Sequence, residues 1–170
     1  MKGMVIRMKS NKIASYGLLV ALAFILSYIE SLFPIPVPIP GIKIGLANLV
    51  VITALYSMGT KEALVLAVIR IIMVGFTFGN PSTMIFSLAG GLLSWLMMTL
   101  LKRSKLFSQV GVSIAGGISH NIGQIVIAIF VVENINIIYY LPVLLISGVI
   151  TGALIGILAS MIIKRVKKFQ

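Results

Sequence analysis

Pro34-Ile35-Pro36-Val37-Pro38-Ile39-Pro40-Gly41-Ile42-Lys43-Ile44-Gly45-Leu46-Ala47-Asn48 separates two long apolar runs and changes character three times. Each of its four alternating prolines removes a backbone donor and biases the preceding residue toward extended geometry, so no helix can pass through. Gly41 lets the chain turn, and Lys43 places a charge where a helix can begin again. Asn48 then puts a polar amide inside the next apolar run. A stiff segment leading into a polar-spotted helix is the construction expected of a lid over a site, with the rest of the chain as its scaffold.

The surrounding sequence sets the solvent of that scaffold. Of its 170 residues 59% are hydrophobic and 10% charged, and the mean hydropathy is +1.16. A water-soluble domain of this size could not bury so much apolar surface, which makes lipid the expected environment. Apolar runs suited to membrane helices lie near residues 13–33, 44–58, 61–78, 82–101, 110–132 and 138–163. They predict a single integral membrane domain over 1–170, an all-α fold of six transmembrane helices. The shortest run, 44–58, suits a helix that starts below the outer surface. Gly59-Thr60 and Gly79-Asn80-Pro81 are turn signals between runs. The basic N-terminus resembles a signal peptide, but no small-residue cleavage site follows it, so the first run is expected to remain as a membrane helix.

The formal charge of +11 is distributed as a topology signal. Twelve of the 14 Lys and Arg residues fall in the N-terminal segment, at Lys61, at Lys102, Arg103 and Lys105, or after Ile163. On alternating sides of six spans these all lie together, with Lys43 opposite. The positive-inside rule then puts both termini in the cytoplasm and the proline segment outside. Short basic segments between apolar runs do not form a nucleic-acid face. The chain has no cysteine, and its only acidic residues are Glu30, Glu62 and Glu133. Thiolate chemistry is excluded, a metal site is not expected, and no cofactor is implied.

Helix packing is also readable. Gly148, Gly152 and Gly156 recur every fourth position and Ser160 continues the ridge, a pattern that lets two helix backbones approach within a bundle. Shorter versions occur as Gly17 with Ala21, Gly90 with Ser94, and Ser113 with Gly117. A ridge on the first helix could instead dock a partner membrane protein.

The polar residues inside the apolar runs are the functional candidates. Arg70 lies about 13 Å into the third run at 1.5 Å per residue, where insertion scales charge on the order of 3 kcal/mol for an arginine. His120 and Gln124 share a helix face, with Asn121 beside them. Asn48, Arg70, His120, Asn121 and Gln124 fall at the midplane or outward of it, where Lys43 and Glu30 are the other charges. A guanidinium binds carboxylate or phosphate as a fork, so such a cavity suits a small ligand with an anionic group. The bland alternative is a set of interhelical hydrogen bonds around a buried arginine. Glu62 is expected near a helix N-terminus, Glu133 in a solvated loop, Tyr139 and Tyr140 at the interface, and Trp95 in packing.

Several of these stretches together resemble a known family. Pro40 to Asn48, Gly59-Thr60-Lys61-Glu62-Ala63-Leu64 with Arg70, Phe86-Ser87-Leu88 with Gly90-Gly91, and Ser119 to Gln124 are similar to the Gx transporter family. That family also carries the description heptaprenyl diphosphate synthase component I, and the resemblance covers nearly the whole chain. It implies a bundle like the substrate-binding S components of energy-coupling-factor transporters, with an outer loop closing over a small-molecule substrate. It further implies a shared transmembrane coupling subunit and ATPase subunits as partners, docked on the first helix, where Gly17 and Ala21 are the matching positions. An enzyme is not expected. No pair of aspartates is present to hold Mg²⁺ against diphosphate, and there is no Gly-x-x-x-x-Gly-Lys-Ser/Thr loop. Two functions follow. One is a substrate-binding component for uptake of a small metabolite, vitamin or isoprenoid-related compound. The other is a non-catalytic membrane partner subunit in polyprenyl diphosphate or quinone metabolism.

Overall fold

The computed structural model describes residues 2–32 and 45–168, and places six α-helices and one 3-10 helix along them, with no strand among the described residues. The helices are α1 (Lys2–Leu32), α2 (Asn48–Ser57), α3 (Thr60–Thr77), α4 (Pro81–Ser104), α5 (Gln109–Val132) and α6 (Leu141–Lys168). The 3-10 helix Ile135–Tyr140 leads into α6. The proline segment and Lys43 lie outside the described residues.

Each boundary has a local cause. Asn80 accepts from the Thr83 backbone N–H at 2.8 Å, and the Thr83 hydroxyl accepts from the Asn80 N–H at 3.1 Å. With Pro81 in the first turn, this closes the N-terminus of α4. Ser108 caps α5 by accepting from Gly111 N–H at 3.1 Å. Lys105 and Glu133 end α4 and α5 in the left-handed region, at φ 58° and 54°. Gly59 turns α2 into α3 at φ 133°, with the Glu62 carboxylate folded back over it in the first turn of α3, where the helix dipole favours a negative charge. The expected first span begins at 13, whereas α1 starts at Lys2. The basic segment has no proline, and its Lys, Met and Arg residues are good helix formers.

The bundle is built around α2. All six residues from Val50 to Leu55 are buried, so this helix is apolar on every side and serves as the core of the others. Ala23 of α1, Leu66 of α3, Met98 of α4, Val112 of α5 and Ile163 of α6 belong to the same cluster. Its ten residues cover about 15 Å, half the thickness of a hydrocarbon core. Three segments are long and apolar enough to cross a membrane: Pro81–Ser104, Gln109–Val132 and Ile135–Arg165. Tyr16–Leu32 and α2 are shorter apolar helices, and the 18 residues of α3 carry Lys61, Glu62 and Arg70. The outer surface presents large aliphatic side chains, among them Leu18, Ile25, Leu100, Ile146 and Leu154. So extensive an apolar exterior matches lipid.

The α5–α6 contact is the tightest in the bundle. A Cβ on Gly117 would lie 2.5 Å from the carbonyl oxygen of Gly148, and one on Gly152 would lie 2.7 Å from Ile114 Cα. Gly156 fits against Val110 Cα in the same way, at 2.8 Å. The Gly148–Gly152–Gly156 ridge is therefore internal packing. Gly90 and Gly123 do the same between α4 and α5. Gly17 differs: among the described residues nothing approaches within 4 Å of its Cβ position, and Gly17 and Ala21 are both exposed.

Candidate functional site

Five of the polar residues singled out in the apolar runs line one cavity of about 60 Å³: Asn48, Arg70, His120, Asn121 and Gln124. Glu30 joins them from the end of α1. Asn48 is the first residue of α2, Arg70 lies beyond the middle of α3, and the other three stand on one side of α5. The i, i+1, i+4 spacing of that trio keeps it on one side of the helix, where Gly90 of α4 lies against His120 and Gln124, and Leu144 of α6 against Asn121.

Arg70 is the centre of the arrangement. Its Nη2 donates to Asn48 Oδ1 at 3.5 Å, the long limit of a hydrogen bond. Its Nε is buried and has no hydrogen-bond partner among the described residues. The Glu30 carboxylate supplies the opposing charge that acts on the guanidinium. Glu30 also accepts from the Gly45 backbone N–H, which joins the end of α1 to the turn that starts α2. Gly45 holds φ +80° there, so glycine is the residue suited to that turn.

The α5 residues are not equally available. Asn121 Nδ2 donates to the Leu144 carbonyl of α6 at 2.6 Å, so this amide is partly occupied in fastening two helices. Gln124 is 7% exposed and Glu30 6%, both against the cavity. Gly90 brings α4 close to this part of α5, since a Cβ there would lie 2.6 Å from His120 O and 2.9 Å from Gln124 Cγ. The chemistry on offer is binding: a forked donor, amides, an imidazole and one carboxylate.

Sequence reasoning did not find every wall. Ser27 lies one helical turn before Glu30, and its buried hydroxyl has no partner among the described residues. Thr83, Ser87 and Met84 of α4 also line the cavity. The available signal was their position near the α4 end that faces Arg70, which becomes visible only once the helices are placed. Trp95 does more than pack: its Nε1 donates to Thr60 O at 2.9 Å and ties α4 to the start of α3. Lys102 likewise exceeds its part in the charge count. Its Nζ donates to Leu55 O and stands 5.1 Å from the Tyr56 ring centre, which closes the C-terminal end of α2.

Among the described residues, no group of three or more His, Cys, Asp or Glu side chains could hold a metal ion. A family model described as heptaprenyl diphosphate synthase component I matches residues 19–162. No curated protein and no solved structure matches the chain. The matched stretch contains every described residue of the cavity wall.

Proposed function

Since the chain belongs to the heptaprenyl diphosphate synthase component I family, we propose that it is a non-catalytic membrane component that binds a small ligand by an anionic group and acts through a separate protein subunit. A family described as a component speaks for a partner that carries the chemistry. This favours the reading as an accessory subunit in polyprenyl diphosphate or quinone metabolism. The observation that supports ligand binding is Arg70, a guanidinium far inside an apolar helix whose Nε is buried, unpartnered among the described residues, and beside a polar cavity. Intramembrane charges are retained against a real insertion cost, which makes a functional partner the first expectation.

In this reading Arg70 holds the anionic group. Asn48 and Gln124 fix its orientation by hydrogen bonds, His120 assists, and Asn121 contributes the capacity left over from its bond to α6. Glu30 sets the Gly45 turn and limits how much negative charge the site accepts. Lys43 and the proline segment lie outside the described residues. Six crossings with both termini in the cytoplasm follow from the Lys and Arg distribution, and the protein is a multi-pass membrane protein in that arrangement.

A second reading is favoured by one specific observation. The Gly17–Ala21 edge of α1 is exposed and, among the described residues, has nothing packed on the glycine. As a docking edge for a membrane coupling subunit, it suits a substrate-binding component for uptake, energised by separate ATPase subunits. Purification from native membranes separates the two. A prenyl synthase subunit that co-purifies supports the accessory reading, and coupling and ATPase subunits support uptake. For either, mild native mass spectrometry should find a small molecule on the wild-type protein and none on Arg70→Gln. A folded Arg70→Gln protein that retains the molecule removes the assignment.

A further inference from the structure

The cavity runs well past the polar cluster, and its walls change along the way. On α5 it is lined from Gln124 back to Ser113, about 16 Å of helix. On α4 it is lined from Thr83 and Met84 to Met98, about 21 Å. The end nearer the α3–α4 turn holds Glu30, Asn48, Arg70, His120 and Gln124. The end nearer the α4–α5 loop is lined by Ile52, Met98, Ile155, Gly116 and Gly152, with the hydroxyls of Ser94 and Ser113. No charged residue of the described wall lies in that second part.

This second part is narrow for a definite reason. A Cβ on Gly116 would lie 2.7 Å from Met98 Cγ and Sδ, and one on Gly152 would meet the α5 backbone. At both glycines the helices are in close contact, so the part of the cavity that these residues line is a narrow slot. A flexible thioether beside a slot adapts to an inserted alkyl group better than a β-branched side chain would. The volume of about 60 Å³ has room for roughly four to five water-sized groups. That accommodates a head group and a few carbons, far short of a heptaprenyl chain.

Charge limits the head. The described wall carries one guanidinium and one carboxylate. A single anionic group can share the guanidinium with Glu30, whereas every further negative charge has only the His120 imidazole of the described wall left to offset it, at a large desolvation cost. We infer that the ligand of this cavity is a singly charged amphiphile, with one anionic group at Arg70 and a short, slender apolar tail lying in the slot between α4 and α5. The inference rests on the reading of Arg70 as an anion-binding residue and adds the ligand's charge and shape.

The test uses the full-length protein in lipid nanodiscs, with binding read from thermal stabilisation. The probes are propionate, pentanoate and heptanoate, with inorganic pyrophosphate as the multiply charged comparison. Each methylene that enters the slot should tighten binding about fourfold until the slot is full, and pyrophosphate should bind more weakly than pentanoate. In Ser94→Leu, which fills the slot, the ratio between heptanoate and propionate should collapse toward one. Equal binding of all three carboxylates by the wild type, or a preference for pyrophosphate, overturns the amphiphile while leaving an anion site at Arg70 in place. Binding of no probe, or binding unchanged by Arg70→Gln, counts against the anion site itself and so against the proposed function as well. If Ser94→Leu does not fold, the wild-type chain-length series still decides the tail.

Discussion

The α5–α6 interface and the space around Arg70 are both made from small and polar residues inside an apolar bundle, yet one is closed and the other open. In the first, glycine faces backbone directly at Gly117, Gly148, Gly152 and Gly156, and the cavity reaches only the edge of this contact, at Gly117 and Gly152. Asn121 in this interface donates to Leu144 O. In the second, Arg70 reaches Asn48 at the long limit of a hydrogen bond and keeps Nε unpaired among the described residues, while Ser27 Oγ is buried in the same condition. Small residues close an interface when backbone meets backbone. Polar residues hold space open when their bonding capacity exceeds what their neighbours supply.

That contrast can be broken from either side, and the closed interface should break hardest. Gly152→Leu must displace the α5 backbone at Ile114 rather than a flexible side chain. It should cost about 3 kcal/mol or more, beyond the usual overpacking range of 1–3 kcal/mol, and be seen as loss of monodisperse protein or a sharply lower Tm. A folded Gly152→Leu protein with wild-type Tm would mean that α5 and α6 are not in backbone contact. At the open site the effect should fall first on binding. Arg70→Gln should reduce affinity for an anionic probe by about 10- to 100-fold, the loss of one charge-assisted hydrogen-bonded contact. Its Tm should fall as well, because the buried Glu30 carboxylate loses its opposing charge.

Smaller effects sharpen the boundary between the two regions. Lys102→Met removes the donor to Leu55 O and the cation over Tyr56, at opposite ends of α2 from the cavity. A loss of about 1–2 kcal/mol in stability is expected, with anion affinity unchanged, as measured by thermal unfolding and probe titration on one sample. Gly17→Ala should leave stability unchanged or raise it by up to about 1 kcal/mol, since open space surrounds that position. A pull-down with the same variant tests the edge: association with a membrane partner should weaken if α1 docks there and persist if it does not.

Much of this was legible in the sequence, for identifiable reasons. Gly79-Asn80-Pro81 and Gly59-Thr60 are local turn signals, and α4 and α3 begin within them, at Pro81 and Thr60, one residue before the expected runs. Arg70, Asn48 and the His120–Gln124 face stood out because polar side chains are costly in apolar runs. What stayed hidden depends on placement in three dimensions. Lys102 reads as one of several loop charges until α4 is laid beside the end of α2. Ser27 is an ordinary serine and Met98 a core methionine until the helices are packed; Ser27 and Met98 are then found on one cavity wall, Met98 laid against Gly116 of α5. The Glu30 bond to Gly45 crosses the proline segment, which periodicity cannot fold.

The most direct measurement is an experimental structure of the full chain in lipid, determined with heptanoate bound. Carboxylate density within hydrogen-bond distance of Arg70 Nε, with its tail between α4 and α5 toward Met98, is the predicted result. Arg70 Nε donating to a backbone carbonyl, with the cavity closed and no density from the carboxylate, would contradict the account.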